Sequence, residues 1–285
     1  MYKEVNIASN NVPITLSIWY TERSSPTIVF LPGTMSHPLM YENFLCGLSE
    51  RGFNIIGVHY LSHGKSPKLK KNYTMEDMLH NVYDATTYGI EKFGENIAVM
   101  GSSQGGILAA MAAGRDTRLK AVFPHNIMLT TLKETMSLTK YPVWTHRFMG
   151  LIQWGFRVGG KLLPNYKVPG DAYLDYNKVF YSEQAKHDCL NDPMLLSYYP
   201  LRFVASLFNA DLSCLENGSI QCPVILITAK GDPLFSFDYT NKVFDLIHAP
   251  QKELLTLELN RHMIFNEDTD TTINALEPTL HKYLG

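Results

Sequence analysis

Residues 97–110 read Ile97-Ala-Val-Met-Gly-Ser-Ser-Gln-Gly-Gly-Ile-Leu-Ala-Ala110, an apolar run followed by a serine between two glycines and then by small, helix-favouring residues. The spacing Gly101-x-Ser103-x-Gly105 is the G-x-S-x-G pattern of a sharp turn from a strand into a helix. Small residues on both sides of the serine let the strand and the helix approach each other closely. Such a turn raises the Ser103 hydroxyl above the sheet edge and aims the N–H of Gln104 at the place where an oxyanion would form. We therefore predict a nucleophilic serine at position 103.

Apolar runs alternate with amphipathic segments on both sides of this stretch. The runs that are typical of parallel strands buried on both faces lie at 27–31, 54–60, 97–100, 119–124, 223–228 and 254–258. The helical patterns lie at 38–50, 74–94, 105–114 and 270–284. Residues 2–8 and 14–22 alternate apolar and polar side chains, which indicates an antiparallel pair with one face in water. The sequence therefore predicts an α/β fold with a mostly parallel central sheet flanked by helices.

The alternation stops between residues 127 and 213. This insertion follows the sixth predicted strand and is rich in Trp, Phe, Tyr and Met, above all at 144–156. Within it, Asn191-Asp-Pro193 is predicted to begin a helix that Pro200 kinks. We expect a core of 1–126 and 214–285 that carries 127–213 as a separate unit.

A serine nucleophile needs a base that accepts its proton and an acid that orients the base. In a parallel sheet these groups come from loops at the carboxyl ends of strands. Asp232 follows the strand at 223–228, and His262 follows the strand at 254–258. The chain order of Ser103, Asp232 and His262 is the order that this kind of sheet requires. Asp232 could instead be only a helix N-cap, in which case Glu258 is the alternative acid.

With these residues the chain resembles the α/β-hydrolase superfamily. The resemblance rests on Gly101-Ser-Ser-Gln-Gly105, Lys230-Gly-Asp-Pro233, Arg261-His-Met263 and the oxyanion-loop equivalent Leu31-Pro-Gly-Thr34. It implies an oxyanion hole formed by the N–H groups of Gln104 and Thr34, or of Met35 if the turn is shifted by one residue.

The resemblance also implies that residues 127–213 form a helical cap over the site. Serine esterases and lipases with such a cap, of the monoacylglycerol lipase and lysophospholipase kind, are the members that the chain is most similar to. The aromatic content of the cap predicts an apolar acyl or alkyl pocket, with Met35, His37, Trp144 and Phe148 as candidates for substrate contact.

The activity expected from this resemblance is hydrolysis of a lipophilic carboxylic ester. Thioesterase, carbon–carbon bond hydrolase, aminopeptidase and acyltransferase chemistry on the same three residues remain alternatives, as does a non-catalytic ligand-binding homologue. No motif implies a cofactor or a metal.

The composition of the chain indicates which kinds of partner and which cellular location to expect. The chain has 285 residues, 45% of them hydrophobic and 18% charged, and a formal net charge of −2, which gives no indication of nucleic-acid binding. The first residues lack the apolar core of a signal peptide and the four cysteines are scattered, so we expect a cytoplasmic protein with reduced thiols. Trp144, Trp154 and the cations around them also suit peripheral contact of the cap with a membrane.

Overall fold

A computed structural model of the chain describes residues 1–69 and 72–285. Within these residues, eight of the ten strands form one sheet in the order β1-β2-β4-β3-β5-β6-β9-β10, and the other two pair with each other in the insertion. The strands are β1 (Tyr2–Ser9), β2 (Val12–Trp19), β3 (Thr27–Leu31), β4 (Asn54–His59), β5 (Ile97–Ser102), β6 (Ala121–His125), β7 (Lys167–Pro169), β8 (Tyr198–Pro200), β9 (Val224–Ala229) and β10 (Lys252–Leu257).

Ten α-helices are present in the described part of the chain, and none of them is both long and apolar enough to cross a membrane. They are α1 (Glu42–Glu50), α2 (Met75–Phe93), α3 (Gln104–Ala113), α4 (Met149–Leu162), α5 (Tyr176–Val179), α6 (Glu183–Leu190), α7 (Leu201–Leu207), α8 (Phe237–Leu246), α9 (Ile264–Glu267) and α10 (Thr269–Leu284). Short 3₁₀ turns lie at Pro38–Tyr41, Lys133–Leu138, Val143–Phe148, Gly170–Ala172 and Ser213–Leu215.

The central strands are buried on both faces. In β3, Ile28 and Phe30 belong to the core layer that contains α1 and α10, whereas Val29 and Leu31 belong to the layer on the opposite face with α2 and α3. Because successive side chains of a strand point to opposite faces, such a strand must be apolar throughout. This arrangement explains the continuous apolar runs in the sequence and confirms the predicted α/β fold.

Strand directions also agree with the prediction. β1 pairs with β2, and β2 with β4, in antiparallel fashion, while every other neighbouring pair in the large sheet is parallel. Asn10 and Asn11 make the turn between β1 and β2 with φ values of 47° and 64°, a conformation that asparagine tolerates better than most residues.

Helix α2 begins and ends at the predicted residues. The Thr74 side chain accepts a hydrogen bond from the backbone N–H of Asp77, and the Asp77 carboxylate accepts one from the backbone N–H of Thr74. This capping box satisfies two N–H groups that the first helical turn leaves without partners. Gly94 ends the helix at φ 107°, which favours glycine.

The insertion differs from its prediction in one segment. Residues 191–197 form turns instead of a helix, Tyr198–Pro200 is strand β8 paired with β7, and Pro200 is the N-cap of α7. The turn is stabilised by the Asp192 carboxylate, which accepts the N–H of Met194, and by long-range contacts that no local pattern reveals. Proline immediately before a helix costs no hydrogen bond, so Pro200 begins α7 and does not kink a longer helix.

Candidate active site

Ser103 lies at a strained turn between β5 and α3. Its backbone has φ 53° and ψ −112°, and its N–H donates to the carbonyl of His125 at 2.9 Å. A Cβ atom on Gly101 would collide with the carbonyl of Gly105, and one on Gly105 would collide with the carbonyl of Leu31. The two glycines are therefore required by close backbone packing, as the sequence pattern predicts.

Two backbone N–H groups beside Ser103 have no hydrogen-bond partner within the described residues. They belong to Gln104, the first residue of α3, and to Thr34, in the loop after β3. Both residues line the cavity wall at Ser103. Unpaired donors at a helix N-terminus suit an anionic oxygen, since the helix dipole favours negative charge there.

The alternative donor, Met35, is already engaged. Its N–H donates to the Tyr199 hydroxyl at 2.7 Å, and its carbonyl accepts the N–H of Leu196 at 3.1 Å. Met35 has φ 61°, a conformation that an unbranched non-glycine residue keeps only when its surroundings hold it. The geometry therefore favours Thr34 over Met35 as the second donor.

Tyr199 joins the insertion to the core at this loop. Its fully buried hydroxyl lies 2.7 Å from the N–H of Met35 and 3.1 Å from Nε2 of His63, in the loop after β4. A further contact comes from His37, whose Nε2 lies 3.1 Å from the Asp192 carboxylate of the insertion. The loop after β3 is thus attached to the insertion at three points. These are the N–H of Met35 on Tyr199, the carbonyl of Met35 on Leu196, and His37 on Asp192.

Asp232, in the loop after β9, and His262, in the loop after β10, form a buried pair. Nδ1 of His262 lies 2.8 Å from Oδ2 of Asp232, and the two residues are 2% and 5% exposed. The same oxygen accepts the Asn126 amide at 2.9 Å, while Oδ1 accepts the N–H groups of Leu234 and Phe235. Nε2 of His262 has no partner among the described residues, and His262 and Ser103 line one cavity.

Electrostatics keep a charge on Asp232. Burial acts to raise the pKa of its carboxyl, but the positive charge and hydrogen bond of His262 and the backbone donors outweigh burial, and the pKa is lowered from the ordinary value. Burial lowers the pKa of the neighbouring His125 to about 3, so that this imidazole is neutral near pH 7. The pair therefore combines a charged carboxylate with an imidazole whose Nε2 has no partner among the described residues.

The same residues are the candidates for a metal site. His125, Asp232 and His262 place ligand atoms within 4.8 Å of one another. Both oxygens of Asp232 already accept protein hydrogen bonds, and Nδ1 of His262 is one of their donors. The Asp232 oxygens and Nδ1 of His262 are thus already engaged in hydrogen bonds within the protein.

Two small cavities meet at Ser103. The His262-side cavity encloses about 60 Å³ and the Gln104-side cavity about 40 Å³. They share four wall residues, which are Thr34, Ser103, Leu174 and Leu234. No Asp, Glu, Lys or Arg occurs among the described residues that line either of them. The environment of Ser103 is therefore mostly apolar.

Of the four residues expected to contact substrate, only Met35 lies in a cavity wall. The imidazole of His37 is buried against Asp192 and lies outside both linings, so its contact with substrate stays a prediction. Trp144 and Phe148 also lie outside both linings, and Trp144 is 64% exposed on the outer surface.

Sequence reasoning missed Tyr199 and the residues of the insertion that form cavity walls. Tyr199 lies 164 positions from Met35, in a strand of three residues that has no detectable periodicity. Leu174, in the wall of both cavities, lies in irregular structure. Leu234 could have been found, because it follows Asp232 by two residues in the same loop.

The family model described as Hydrolase_4, serine aminopeptidase S33, matches residues 22–269. A search of curated proteins finds no match.

Solved structures share the fold at low sequence identity. A monoacylglycerol lipase from Paleococcus ferrophilus is 18% identical with a TM-score of 0.78, covering 95% of this chain and 99% of its own. A soluble variant of the monoglyceride lipase from Saccharomyces cerevisiae, bound to a substrate analogue, is 16% identical with a TM-score of 0.77, covering 99% and 95%. A carboxyl esterase from Bacillus coagulans is 13% identical with a TM-score of 0.73, covering 100% and 99%.

Proposed function

The chain belongs to the serine aminopeptidase S33 family of α/β-hydrolases, and we propose that within this family it cleaves carboxylic esters that carry apolar groups. Ser103 is the nucleophile, His262 the general base and acid, and Asp232 the carboxylate that holds the imidazole tautomer. The N–H groups of Gln104 and Thr34 bind the oxyanion. The observation that carries the proposal is the buried 2.8 Å contact between His262 and Asp232 beside the strained turn of Ser103.

The reaction proceeds in two halves. His262 accepts the hydroxyl proton of Ser103 as Oγ bonds to the carbonyl carbon, and passes that proton to the alcohol oxygen as the carbon–oxygen bond breaks. Water then attacks the acyl-Ser103 ester, and its proton returns through His262 to Oγ as the carboxylic acid leaves. Both tetrahedral intermediates place their negative oxygen at Gln104 and Thr34.

The lining of the cavities favours an ester over a peptide with a free amino terminus. An aminopeptidase needs a partner for the substrate ammonium group, and neither cavity has a carboxylate among its described wall residues. Burying an unpaired ammonium would cost several kcal/mol. An uncharged ester meets no such penalty.

Hydrolysis of a p-nitrophenyl ester series from acetate to palmitate tests this proposal. Wild type is expected to turn over, and Ser103→Ala to lose about 10⁶-fold in kcat, because the acyl-enzyme cannot form. Ser102→Ala is the matched control, since this neighbouring serine belongs to β5 and, among the described residues, its hydroxyl accepts a hydrogen bond from Tyr41.

The opposite results are equally informative. A fully active Ser103→Ala enzyme would remove Ser103 from the chemistry. Wild type that hydrolyses no ester and is not labelled by a fluorophosphonate would leave the non-catalytic homologue, and partitioning of the acyl group to added alcohol would indicate an acyltransferase.

We further propose that residues 127–213 act as a cap over a core of 1–126 and 214–285. The insertion supplies wall residues of both cavities, including Leu138, Leu174 and Leu195. Helix α4 packs on α7 within it, and α7 in turn contacts α2 of the core. The insertion thus closes the space above Ser103 from the side opposite the sheet.

The outer face of this insertion suits contact with lipid. Large apolar side chains are exposed on the turn Val143–Phe148, along helix α4 and directly after this helix. They are Trp144, Leu151, Trp154, Leu162 and Leu163. An exposed apolar face of this size, with Arg147 and Lys161 beside it, is typical of an interfacial helix. Trp154→Ser is expected to reduce co-sedimentation with phosphatidylglycerol vesicles several-fold, whereas Tyr83→Ser on α2 of the core is not. Equal binding by both variants would contradict this surface.

A further inference from the structure

Two residues that line the Gln104-side cavity carry a buried polar atom with no hydrogen-bond partner among the described residues, namely Gln104 at Oε1 and Tyr173 at its hydroxyl. Tyr173 is 4% exposed. The rest of the wall is mainly apolar, with Ile107, Met128, Leu138, Phe208 and Phe235. The Tyr173 ring packs edge-on against Phe208, with the ring centroids 5.9 Å apart.

A buried hydroxyl without a partner is unusual. Such a group has given up its hydrogen bonds to water without replacement, and most buried polar atoms in native proteins are paired. Phenylalanine would fill the same space without this loss. A bound molecule with a polar atom at this point would supply the missing partner.

The proton of this hydroxyl stays in place. Burial raises the pKa of Tyr173 well above its ordinary value, so the phenol is neutral and can donate. The complementary atom on a ligand is therefore an acceptor oxygen, such as that of a ketone or a hydroxyl group. A hydrocarbon chain alone would leave the Tyr173 hydroxyl unpaired.

The part of the substrate that occupies each cavity follows from the proposed function, on which this inference rests. His262 passes a proton to the oxygen of the leaving alcohol, so the alcohol lies toward the cavity that His262 lines. The acyl group then extends into the other cavity, beside Gln104. Since a water molecule needs roughly 10–15 Å³ of such space, the volume of about 40 Å³ suits a short acyl group.

We propose that Tyr173 is a specificity residue whose hydroxyl donates to an oxygen on a short acyl chain, so that the preferred substrates are esters of oxo- or hydroxy-acids. The oxygen lies a few bonds beyond the ester carbonyl. The remaining atoms of the acyl group contact an apolar wall.

Matched esters test the proposal directly. The p-nitrophenyl esters of 4-oxopentanoate and 5-oxohexanoate are compared with those of pentanoate and hexanoate, and kcat/KM is measured for each. Wild type is expected to favour one oxo ester over its alkyl counterpart by roughly tenfold, the effect of one buried hydrogen bond. Tyr173→Phe is expected to abolish that preference while it retains activity on the alkyl esters. The variant removes only an unpaired hydroxyl, so its fold is expected to be kept.

Controls separate this proposal from the proposed function. Tyr176→Phe changes a tyrosine of the His262-side cavity and is expected to leave the oxo-to-alkyl ratio unchanged. Comparison of this ratio between wild type and each variant cancels the intrinsic reactivity of the esters.

Two results would overturn the role of Tyr173. One is a wild-type ratio near one with every acyl chain, and the other is a ratio that Tyr173→Phe does not change. Labelling of Ser103 by a fluorophosphonate and hydrolysis of plain esters in the same preparation would show that the hydrolase itself is intact. Without labelling or hydrolysis of any ester, the proposed function fails and this inference fails with it.

Discussion

The two sides of Ser103 are constructed differently. On the acid side, every donor to Asp232 comes from loops of the core, at Asn126, Leu234, Phe235 and His262. On the oxyanion side, the loop after β3 is held by residues of the insertion, above all by Tyr199. The proposed proton-transfer pair thus lies wholly within the core, whereas the loop that carries the proposed oxyanion donor Thr34 is held by the insertion. Substitutions on the two sides should therefore fail in different ways.

The largest effect is expected on the acid side, with Asp232→Asn. The amide can no longer accept the Nδ1 proton of His262 as a carboxylate does, so the wrong tautomer and an unstabilised imidazolium should lower kcat by about 10⁴. Stopped assays with a p-nitrophenyl ester measure the loss. Glu258→Gln is the control, because Glu258 is exposed and paired with Lys230. A larger loss in Glu258→Gln than in Asp232→Asn would make Glu258 the acid.

A smaller effect is expected on the oxyanion side, with Tyr199→Phe. When the Tyr199 hydroxyl is removed, the N–H of Met35 loses its hydrogen-bond partner, and the loop that carries Thr34 is expected to shift. Misplacement of about 1 Å costs up to about 10² in rate. Because the oxyanion is bound in the transition state, kcat should fall while KM changes little.

The neighbouring Tyr198 provides the control for this comparison. Tyr198→Phe alters an exposed residue next in the chain and should keep its activity. The urea midpoint of Tyr199→Phe reports the stability change separately. A loss of kcat that only follows a lower midpoint, and disappears at low temperature, would show that Tyr199 is merely structural.

Each side of Ser103 contains a buried histidine, and both histidines should make the stability of the fold depend on pH. Burial lowers the pKa of His125 on the acid side, and of His63 beside Tyr199, to about 3 each. Below pH 6.5 the unfolded chain binds a proton at each imidazole that the folded chain does not bind, so acidification favours unfolding. Each histidine should contribute up to about 1.4 kcal/mol per pH unit to this loss of stability.

Urea unfolding between pH 6 and pH 5 measures this slope, in a range where Asp232, with its lowered pKa, stays ionised. His125→Asn and His63→Gln should each reduce the slope by the contribution of one proton, and together by two. An unchanged slope would mean that the imidazole titrates in the folded protein.

The sequence was most informative where structure is local. The turn at Ser103 follows from two glycines within five residues, and Asp232 and His262 are predicted as partners of Ser103 because each lies in the loop after a strand. The insertion lacks such rules. Residues 191–200 contain the proline and asparagine of a helix start, yet their fold is decided by contacts with Met35, more than 150 positions away. Aromatic content likewise could not tell exposed Trp144 from buried Tyr199.

The hydroxyl of Tyr199 also bears on how this protein can be recombined. Related enzymes exchange specificity most simply if their insertions can be grafted as independent modules onto a common core. In this chain a grafted insertion would close over the sheet but leave the N–H of Met35 without an acceptor, unless it brought an oxygen to the same point. A chimera made from this core therefore needs a tyrosine at the junction before its new pocket can be judged.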